Sequence, residues 1–139
     1  MGGLSYLATR AAELGDALYE LERYEEAERL SHRAEELAAT DDVLTQILWR
    51  SVRSRCLAQK DKVVEAEALS REAVRLAEAT DVLNRRGKVL LDRAEVLRRV
   101  GRLDDACAAV EQAVGLFEQK GNTVGARRAR ALLLKLTPA

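Results

Sequence analysis

The side chains best suited to catalysis in this chain are one histidine and two cysteines. His32 is the only histidine, and the helical pattern around it places it on a solvent-facing side, without partner groups that would make it a general base. Cys56 lies in a column of small apolar residues and is expected to be buried, whereas Cys107 is expected to be half exposed. Neither cysteine has a histidine to activate it. We therefore expect no catalytic residue and no enzymatic activity.

Glycines and paired carboxylates do not form a recognisable ligand site either. Apart from Gly2-Gly3 the glycines are scattered singly, and neither the GxGxxG nor the GxxxxGK[S/T] phosphate-binding pattern is present. Adjacent carboxylates occur near predicted helix starts, where the helix dipole favours negative charge. These pairs are Glu25-Glu26, Asp41-Asp42 and Asp104-Asp105. The two cysteines have no metal-ligand spacing, so we expect neither a cofactor nor a metal.

Arg53 and Arg93 occupy the same unusual position, 40 residues apart. The matching position in the first third of the chain is Leu14, which we expect to lie in the interior. One interpretation packs the aliphatic stems in a groove, with each guanidinium paired to a carboxylate such as Asp92, Glu95 or Glu13. The other joins Arg53 and Arg93 with Arg50 and Arg55 in a basic strip that binds an acidic peptide or another anion, because guanidinium groups grip carboxylates and phosphates bidentately.

Two aromatic residues are further candidates for partner binding. Trp49 is the only tryptophan, and it is either part of the core between repeats or a half-exposed anchor for a partner. Tyr19 lies on the first helix with Asp16 and Glu20, which would make that end of a binding groove acidic. A partner of mixed charge would fit an acidic first end followed by the arginines.

The elements that must position these residues are repeated. RYEEAERLSHRAEELA at 23–38 recurs as KVVEAEALSREAVRLA from Lys62 and RLDDACAAVEQAVGLF from Arg102, with offsets of 39 and then 40 residues. Each copy has apolar positions at steps of three and four, which predicts a helix with one apolar stripe. Three columns align: Tyr24, Val63 and Leu103; Ala27, Ala66 and Ala106; and Ala34, Ala73 and Ala113.

A second periodic helix precedes each copy, so each repeat is a helix pair. These first helices share a small residue followed three positions later by leucine: Gly15 and Leu18, Ser54 and Leu57, Ala94 and Leu97. The small residue lets two backbones approach closely. We predict repeats at about 4–39, 43–79 and 82–119, with Thr or Asp side chains capping the later pairs, and a capping helix at about 123–136. Such pairs stack into a right-handed α-solenoid whose inner face is formed by the first helices.

Composition narrows the function further. The 23 Lys and Arg residues balance 23 Asp and Glu residues, so no global field attracts nucleic acid or a membrane, and no apolar run is long enough to span a bilayer. Two cysteines are too few for a secreted disulfide scaffold of this length, which favours the cytoplasm. The opening Met1-Gly2-Gly3 leaves open whether the chain is whole or a trimmed part of something longer.

LGDALYELERYEEAERLSHRAEEL, residues 14–37, resembles the tetratricopeptide repeat, with Leu14, Gly15, Tyr24, Ala27 and Ala34 matching its packing positions. The resemblance implies a protein-interaction fold and names no reaction. The period exceeds the usual repeat of about 34 residues, and Thr-Asp replaces the usual proline. Longer repeats of this kind look like those in C-terminal regions of actinobacterial adenylyl cyclase-like or ATPase-containing regulators. The Lys, Asn and Arg clamp by which some members hold a chaperone tail is absent.

We therefore predict a non-catalytic protein- or peptide-interaction module, which also self-associates if its open ends carry apolar stripes. The alternative is a sensory or regulatory fragment of a larger cyclase- or ATPase-linked signalling protein. The N-terminal helix, with Leu4, Leu7 and Leu14, is less polar than a finished cap. The candidate partner-binding residues are Tyr19, Trp49, Arg50, Arg53, Arg55 and Arg93.

Overall fold

A computed structural model describes residues 2–137 of the chain. Within that range there are seven helices and no strand, so the all-α class is confirmed. The helices are α1 (Gly2–Glu20), α2 (Tyr24–Leu37), α3 (Val43–Gln59), α4 (Val63–Glu78), α5 (Leu83–Arg99), α6 (Leu103–Lys120) and α7 (Thr123–Leu136). Met1, which bears on whether the chain is trimmed, lies outside the described residues.

The helices form two layers that follow the order of the chain. Each odd-numbered helix contacts the next, from α1 through α3 and α5 to α7, and each even-numbered helix contacts only its sequence neighbours on either side. Within residues 2–137 no even-numbered helix contacts another even-numbered helix. The odd-numbered helices are therefore the more closely packed inner layer, and α2, α4 and α6 form the outer layer.

Small residues make the close packing within each pair. Six alanines of the outer layer are fully buried: Ala27, Ala66, Ala106, Ala34, Ala73 and Ala113. On α1 a Cβ added to Gly15 would lie 3.3 Å from the Ala27 carbonyl oxygen, so glycine sets how closely α1 and α2 approach. The leucines three residues after the small positions, Leu18, Leu57 and Leu97, are buried as well. The repeated columns are thus packing positions.

The three turns inside the pairs have one geometry. Glu22, Asp61 and Gly101 all have positive φ, at 63°, 61° and 88°. The amide of the following residue donates back to the carbonyl of a buried leucine, as in Arg23 to Leu18 at 2.9 Å and Arg102 to Leu97 at 2.8 Å. This is the left-handed helix ending of the Schellman motif, which satisfies carbonyls that the helix leaves unpaired. Glycine fills the position in only one of the three turns.

Side-chain caps appear at two of the three junctions between pairs. The Asp42 carboxylate accepts from the Thr45 amide at 3.2 Å at the start of α3, and Asn122 accepts from the Gly125 amide at 2.8 Å at the start of α7. The predicted Thr-Asp cap of α5 is wrong. Its N-cap is Val82, and no side chain caps it. The Thr80 hydroxyl donates to the Ala77 carbonyl at the end of α4 and accepts from the amide of Val82, before the first helical residue.

Leu14 differs from the sequence prediction. Its side chain is 52% exposed rather than interior. The equivalent residues of α3 and α5, Arg53 and Arg93, contact α2 and α4, which belong to the preceding helix pair. No helix precedes α1 in the described part of the chain, so the same position on α1 is open.

The largest continuous core lies at the C-terminal end, where Phe117 packs among α5, α6 and α7 together with Leu90, Val110 and Leu136. None of the helices in residues 2–137 combines the length and the apolar character that crossing a membrane requires.

Candidate functional site

Arg55 is the centre of a buried ionic cluster that links three inner-layer helices. Its side chain is only 1% exposed, yet it forms ion pairs with Asp16 and Glu20 of α1 and lies 3.7 Å from Asp92 of α5. Its Nε also donates to the Ser51 carbonyl at 3.2 Å. A buried guanidinium needs this many partners because an unpaired buried charge is very costly.

Asp92 and Lys88 extend the cluster along α5. Lys88 Nζ donates to both Asp92 oxygens, at 2.8 and 3.0 Å, and Ser51 Oγ donates to Asp92 at 2.9 Å. Lys88 Nζ also lies 3.5 Å from Asp16. The charges that sequence reasoning assigned to an acidic groove end are therefore largely neutralised by Arg55 and Lys88.

Tyr19 closes the cluster on the side of Glu95. Its hydroxyl donates to the Glu95 carboxylate and accepts from Gln59 Nε2 at 3.2 Å, and its ring lies 4.5 Å from the Arg55 guanidinium carbon. Tyr19 is 5% exposed. Its contacts are internal, so it joins α1 to α3 and α5 rather than facing solvent as an anchor.

The pKa shifts in the cluster follow from burial and charge. Burial opposes ionisation of Asp16, but Lys88 and Arg55 together lower its pKa below the ordinary value. Burial likewise opposes the charge on Arg55, and Asp92 and Asp16 overcome it and raise the pKa of the guanidinium. For Glu95 burial dominates and raises the carboxyl pKa. Arg55 and Asp16 thus stabilise each other's charged forms.

Arg53 and Arg50 both stack on Trp49. Their guanidinium carbons lie 4.4 and 4.3 Å from the ring centroid, within cation–π distance. Trp49 is 4% exposed and packs with Ala12 and Ala34, which places it in the core between pairs. Arg50 is partly exposed, and its Nη1 donates to both oxygens of Gln46.

Arg53 and Arg93 form equivalent contacts with the preceding outer helix. Arg53 Nε donates to Ser31 Oγ at 3.1 Å, and Arg93 Nη1 donates to Ser70 Oγ at 2.7 Å. Arg53 also forms an ion pair with Glu35 at 2.8 Å. The carboxylates named from the sequence, Asp92, Glu95 and Glu13, are not their partners, because both arginines point from the inner layer toward α2 and α4.

The structure therefore divides the predicted basic strip. Arg53 and Arg93 lie between layers, Arg55 lies inside the ionic cluster, and Arg50 covers Trp49. Each of these cations already has internal partners, so the four do not form one open surface.

A cleft between α5 and α7 carries charged side chains that differ from the internally paired arginines. It has a volume of about 390 Å³, and its floor is apolar, with Leu91 and Ala94 from α5 and Leu132 and Leu136 from α7. The rim carries the exposed cations Arg98, Arg128 and Lys135, and the lining also includes Lys88 and the acidic residues Glu20, Asp92 and Glu95. A recess of about 270 Å³ continues from it past Lys88 and Arg128 to Asn84 and Asn122.

Within residues 2–137 the three rim cations have no carboxylate partner. None of the ion pairs there involves Arg98, Arg128 or Lys135, although neighbouring cations such as Lys88 and Arg130 are paired. From the sequence we predict a capping helix at about 123–136, and none of these three cations is singled out. The spacing places Arg128, Leu132 and Lys135 on one helix face, at steps of four and three, but it does not indicate which helix that face meets.

The residues considered for catalysis do not come together in one site. His32 is exposed and lies 3.9 Å from Glu28 of its own helix, and Cys56 is 1% exposed with its thiol directed at the Tyr24 carbonyl. Burial raises the pKa of Cys56 to about 11. Among residues 2–137 no cluster of three or more His, Cys, Asp or Glu side chains is arranged to hold a metal ion.

We expect iodoacetamide at about pH 8 to modify Cys107 in the folded protein and to spare Cys56, because only the thiolate reacts. Cys56 is buried with a raised pKa, whereas Cys107 is partly exposed. Peptide mass analysis after proteolysis measures both sites, and unfolding in urea should make the two react alike. Equal modification of the folded protein would contradict the placement of Cys56.

Comparison of the chain with protein-family models and with curated proteins gives no match.

Proposed function

We propose that the chain is a non-catalytic protein-interaction module of the tetratricopeptide type, a right-handed stack of helix pairs that works in the cytoplasm. The cleft between α5 and α7 is its binding site, and the partner is a peptide segment in which acidic residues flank an apolar side chain. Support for the fold type comes from the repeated helix pairs, their buried small columns and their common turn geometry.

The observation that carries the binding proposal is the combination of an apolar floor with three rim cations that have no carboxylate partner among residues 2–137. Burying an apolar side chain on the floor supplies the non-directional part of the binding energy. Arginine adds directional, charge-assisted hydrogen bonds to carboxylates, and lysine adds a further positive charge. The cleft volume is in the range typical of ligand sites.

Two other cavities lack this combination. The cavity of about 340 Å³ bordered by Val74, Leu90 and Leu116 has Arg86 as its only cation. The recess beside Ser51 and Arg55 is lined by charges that pair with one another in the ionic cluster. An acidic partner therefore gains most in the cleft between α5 and α7.

Reversing two rim charges should abolish acidic-peptide binding. We expect Arg98→Glu with Arg128→Glu to weaken binding about tenfold or more for each reversed charge, since a hydrogen bond to a charged group contributes about 1.5–3 kcal/mol. The probe is a fluorescent peptide library in which Asp and Glu flank a Leu or Phe, with a Lys-flanked library as the negative set. Fluorescence anisotropy gives the affinities.

The matched control is Arg99→Glu with Arg127→Glu. These arginines lie on the same two helices, are exposed and do not line the cleft, so the control carries the same change in net charge. Equal loss in both variants would mean that only overall charge matters. No binding of any acidic peptide by the wild type would refute the proposed function.

A further inference from the structure

The exposed surface of α1 carries an apolar row. Leu4, Leu7 and Leu14 are 54%, 52% and 52% exposed, and Ala11 is partly exposed between them; Leu18 is buried, and Leu21, the residue after the helix, is 67% exposed and extends the row. Residues at these steps of three and four lie on one side of a helix. Exposed large apolar residues on other helices lie next to each other or far apart, such as Val63 and Val64 on α4 and Val124 and Leu134 on α7, and form no row of this length. A row of this length is characteristic of an interaction surface.

The contacts of α3 show what the equivalent side of another inner-layer helix packs against. Lys60, at the position equivalent to Leu21, pairs with Glu28 of α2 at 2.7 Å. Arg53, at the position equivalent to Leu14, contacts Ser31 and Glu35 of α2. On α3 this side therefore packs against the preceding outer helix. On α1 the same side has no partner within residues 2–137.

The side chains of the α1 row differ in chemistry from those at the equivalent positions of α3, which face α2. Inside the chain, an arginine reaches across to a serine hydroxyl and a carboxylate, whereas on α1 the equivalent residue is Leu14, which can form neither contact. An outer helix like α2 or α4 would leave those polar groups unsatisfied against leucine. A matching surface must itself be apolar at steps of three and four, as in the seam of a coiled coil.

The row on α1 is itself apolar at steps of three and four, so α1 of a second copy is a matching surface. When two copies of α1 run antiparallel, Leu4 lies opposite Leu21 of the partner, and Leu14 lies opposite Ala11. Each large side chain at the centre then meets a small one, which favours interdigitation. The pairing is isologous, so one two-fold axis completes it without an open end.

Charges beside the row select the same orientation. Arg10 and Glu13 lie on one edge, with side chains 63% and 56% exposed. In the antiparallel pair each Arg10 approaches Glu13 of the partner, which gives two attractive ion pairs between the copies. A parallel pair in register would place Arg10 beside Arg10 and Glu13 beside Glu13, which is repulsive.

We propose that two copies of the chain associate through the α1 row, with their first helices antiparallel about a two-fold axis. The row uses other residues than those of the α5–α7 cleft, so the dimer and peptide binding can fail independently. Light scattering after size-exclusion chromatography should give twice the chain mass for the wild type.

The test variant is Leu7→Gln with Leu14→Arg, which transfers the residues of α3, Gln46 and Arg53, to α1. Because both leucines are half exposed and the new residues occur at the same positions in α3, we expect the fold to be kept, with an unchanged helical circular dichroism signal. Its mass should fall to that of one chain. Leu134→Gln, at an exposed leucine of α7, is the control and should leave the dimer intact.

A charge-reversal pair tests the orientation without changing the apolar row. Arg10→Glu should weaken the dimer about tenfold, since two attractive contacts become repulsive, and adding Glu13→Arg should restore it. A single-chain mass for the wild type at every concentration would overturn the proposal and leave the row to a different partner. A dimer that survives Leu7→Gln with Leu14→Arg, or a reversal that Glu13→Arg does not rescue, would also overturn it.

Discussion

Replacing Arg55 by methionine is expected to lower the free energy of unfolding by about 3–5 kcal/mol at neutral pH, the usual cost of removing one partner from a buried ion cluster. The side chain is 1% exposed and faces Asp16, Glu20 and Asp92. Methionine fills part of the volume but removes the buried cation that pairs with partly buried Asp16 and lies beside buried Asp92. The effect is large because the cluster joins α1, α3 and α5.

The pH dependence of this stability loss shows whether lost charge pairing causes it. Asp16 has a lowered pKa in the folded protein, so its contribution to stability is present above its ordinary unfolded pKa and is lost as the pH falls through its folded pKa. The Arg55→Met variant keeps Lys88 but lacks Arg55, the second of the two cations that lower the Asp16 pKa. The stability difference between wild type and variant should therefore narrow as the pH falls through the carboxylate range. Urea titrations at a series of pH values measure it.

Two further variants serve as controls for Arg55. Arg29→Met, at an exposed arginine of α2, should change stability by less than about 0.5 kcal/mol. Adding Asp16→Asn and Asp92→Asn to Arg55→Met should recover part of the loss, because the uncompensated charges are removed. A stability difference that is constant with pH would mean that lost packing, not charge, causes the destabilisation.

Phe117→Ala should cost about 3–5 kcal/mol, the range for emptying a buried aromatic position. Phe117 is 5% exposed in the C-terminal core. Its ring fills the space that side chains on two neighbouring helices would need, because Cβ atoms added to Gly87 and Gly125 would lie 2.7 and 2.8 Å from ring carbons. The ring and the two glycines therefore form one packing unit.

This unit predicts a non-additive double-mutant cycle. Gly87→Ala alone should cost about 1–3 kcal/mol through overpacking, but in the Phe117→Ala background the added methyl enters vacant space and should cost little. Gly115→Ala is the matched control, since nothing lies within 4 Å of its added Cβ, and it should stabilise α6 by up to about 1 kcal/mol. Guanidinium denaturation of the four proteins gives the coupling energy. Additive costs would contradict the contact.

The packing pattern could be predicted from the sequence because it repeats. Ala27 and Ala34 recur at matching positions, and a period of three and four residues indicates which side of a helix is buried. An aligned position in the repeats does not indicate which neighbouring helix its side chain faces. Leu14 aligned with Arg53 suggested an interior position, but that side faces the preceding pair, and on α1 it is exposed.

The candidate site was less predictable for a related reason. Arg53 attracted attention as a departure from the column of Leu14, and Arg55 as its neighbour. Both are buried, where a charge must find internal partners. Arg98, Arg128 and Lys135 lie on ordinary exposed helix faces, and nothing in their spacing indicates that α5 and α7 enclose a cleft. Only the packing of the helices brings these cations together.

Amide chemical-shift mapping of a bound acidic peptide tests the proposed function most directly. The ¹⁵N-labelled protein is titrated with the tightest peptide from the library. We predict that the perturbed amides concentrate at Leu91, Ala94 and Arg98 on α5 and at Arg128, Leu132 and Lys135 on α7. Perturbations centred on Trp49 and Arg53, or on the apolar row of α1, would contradict the assignment of the cleft as the binding site.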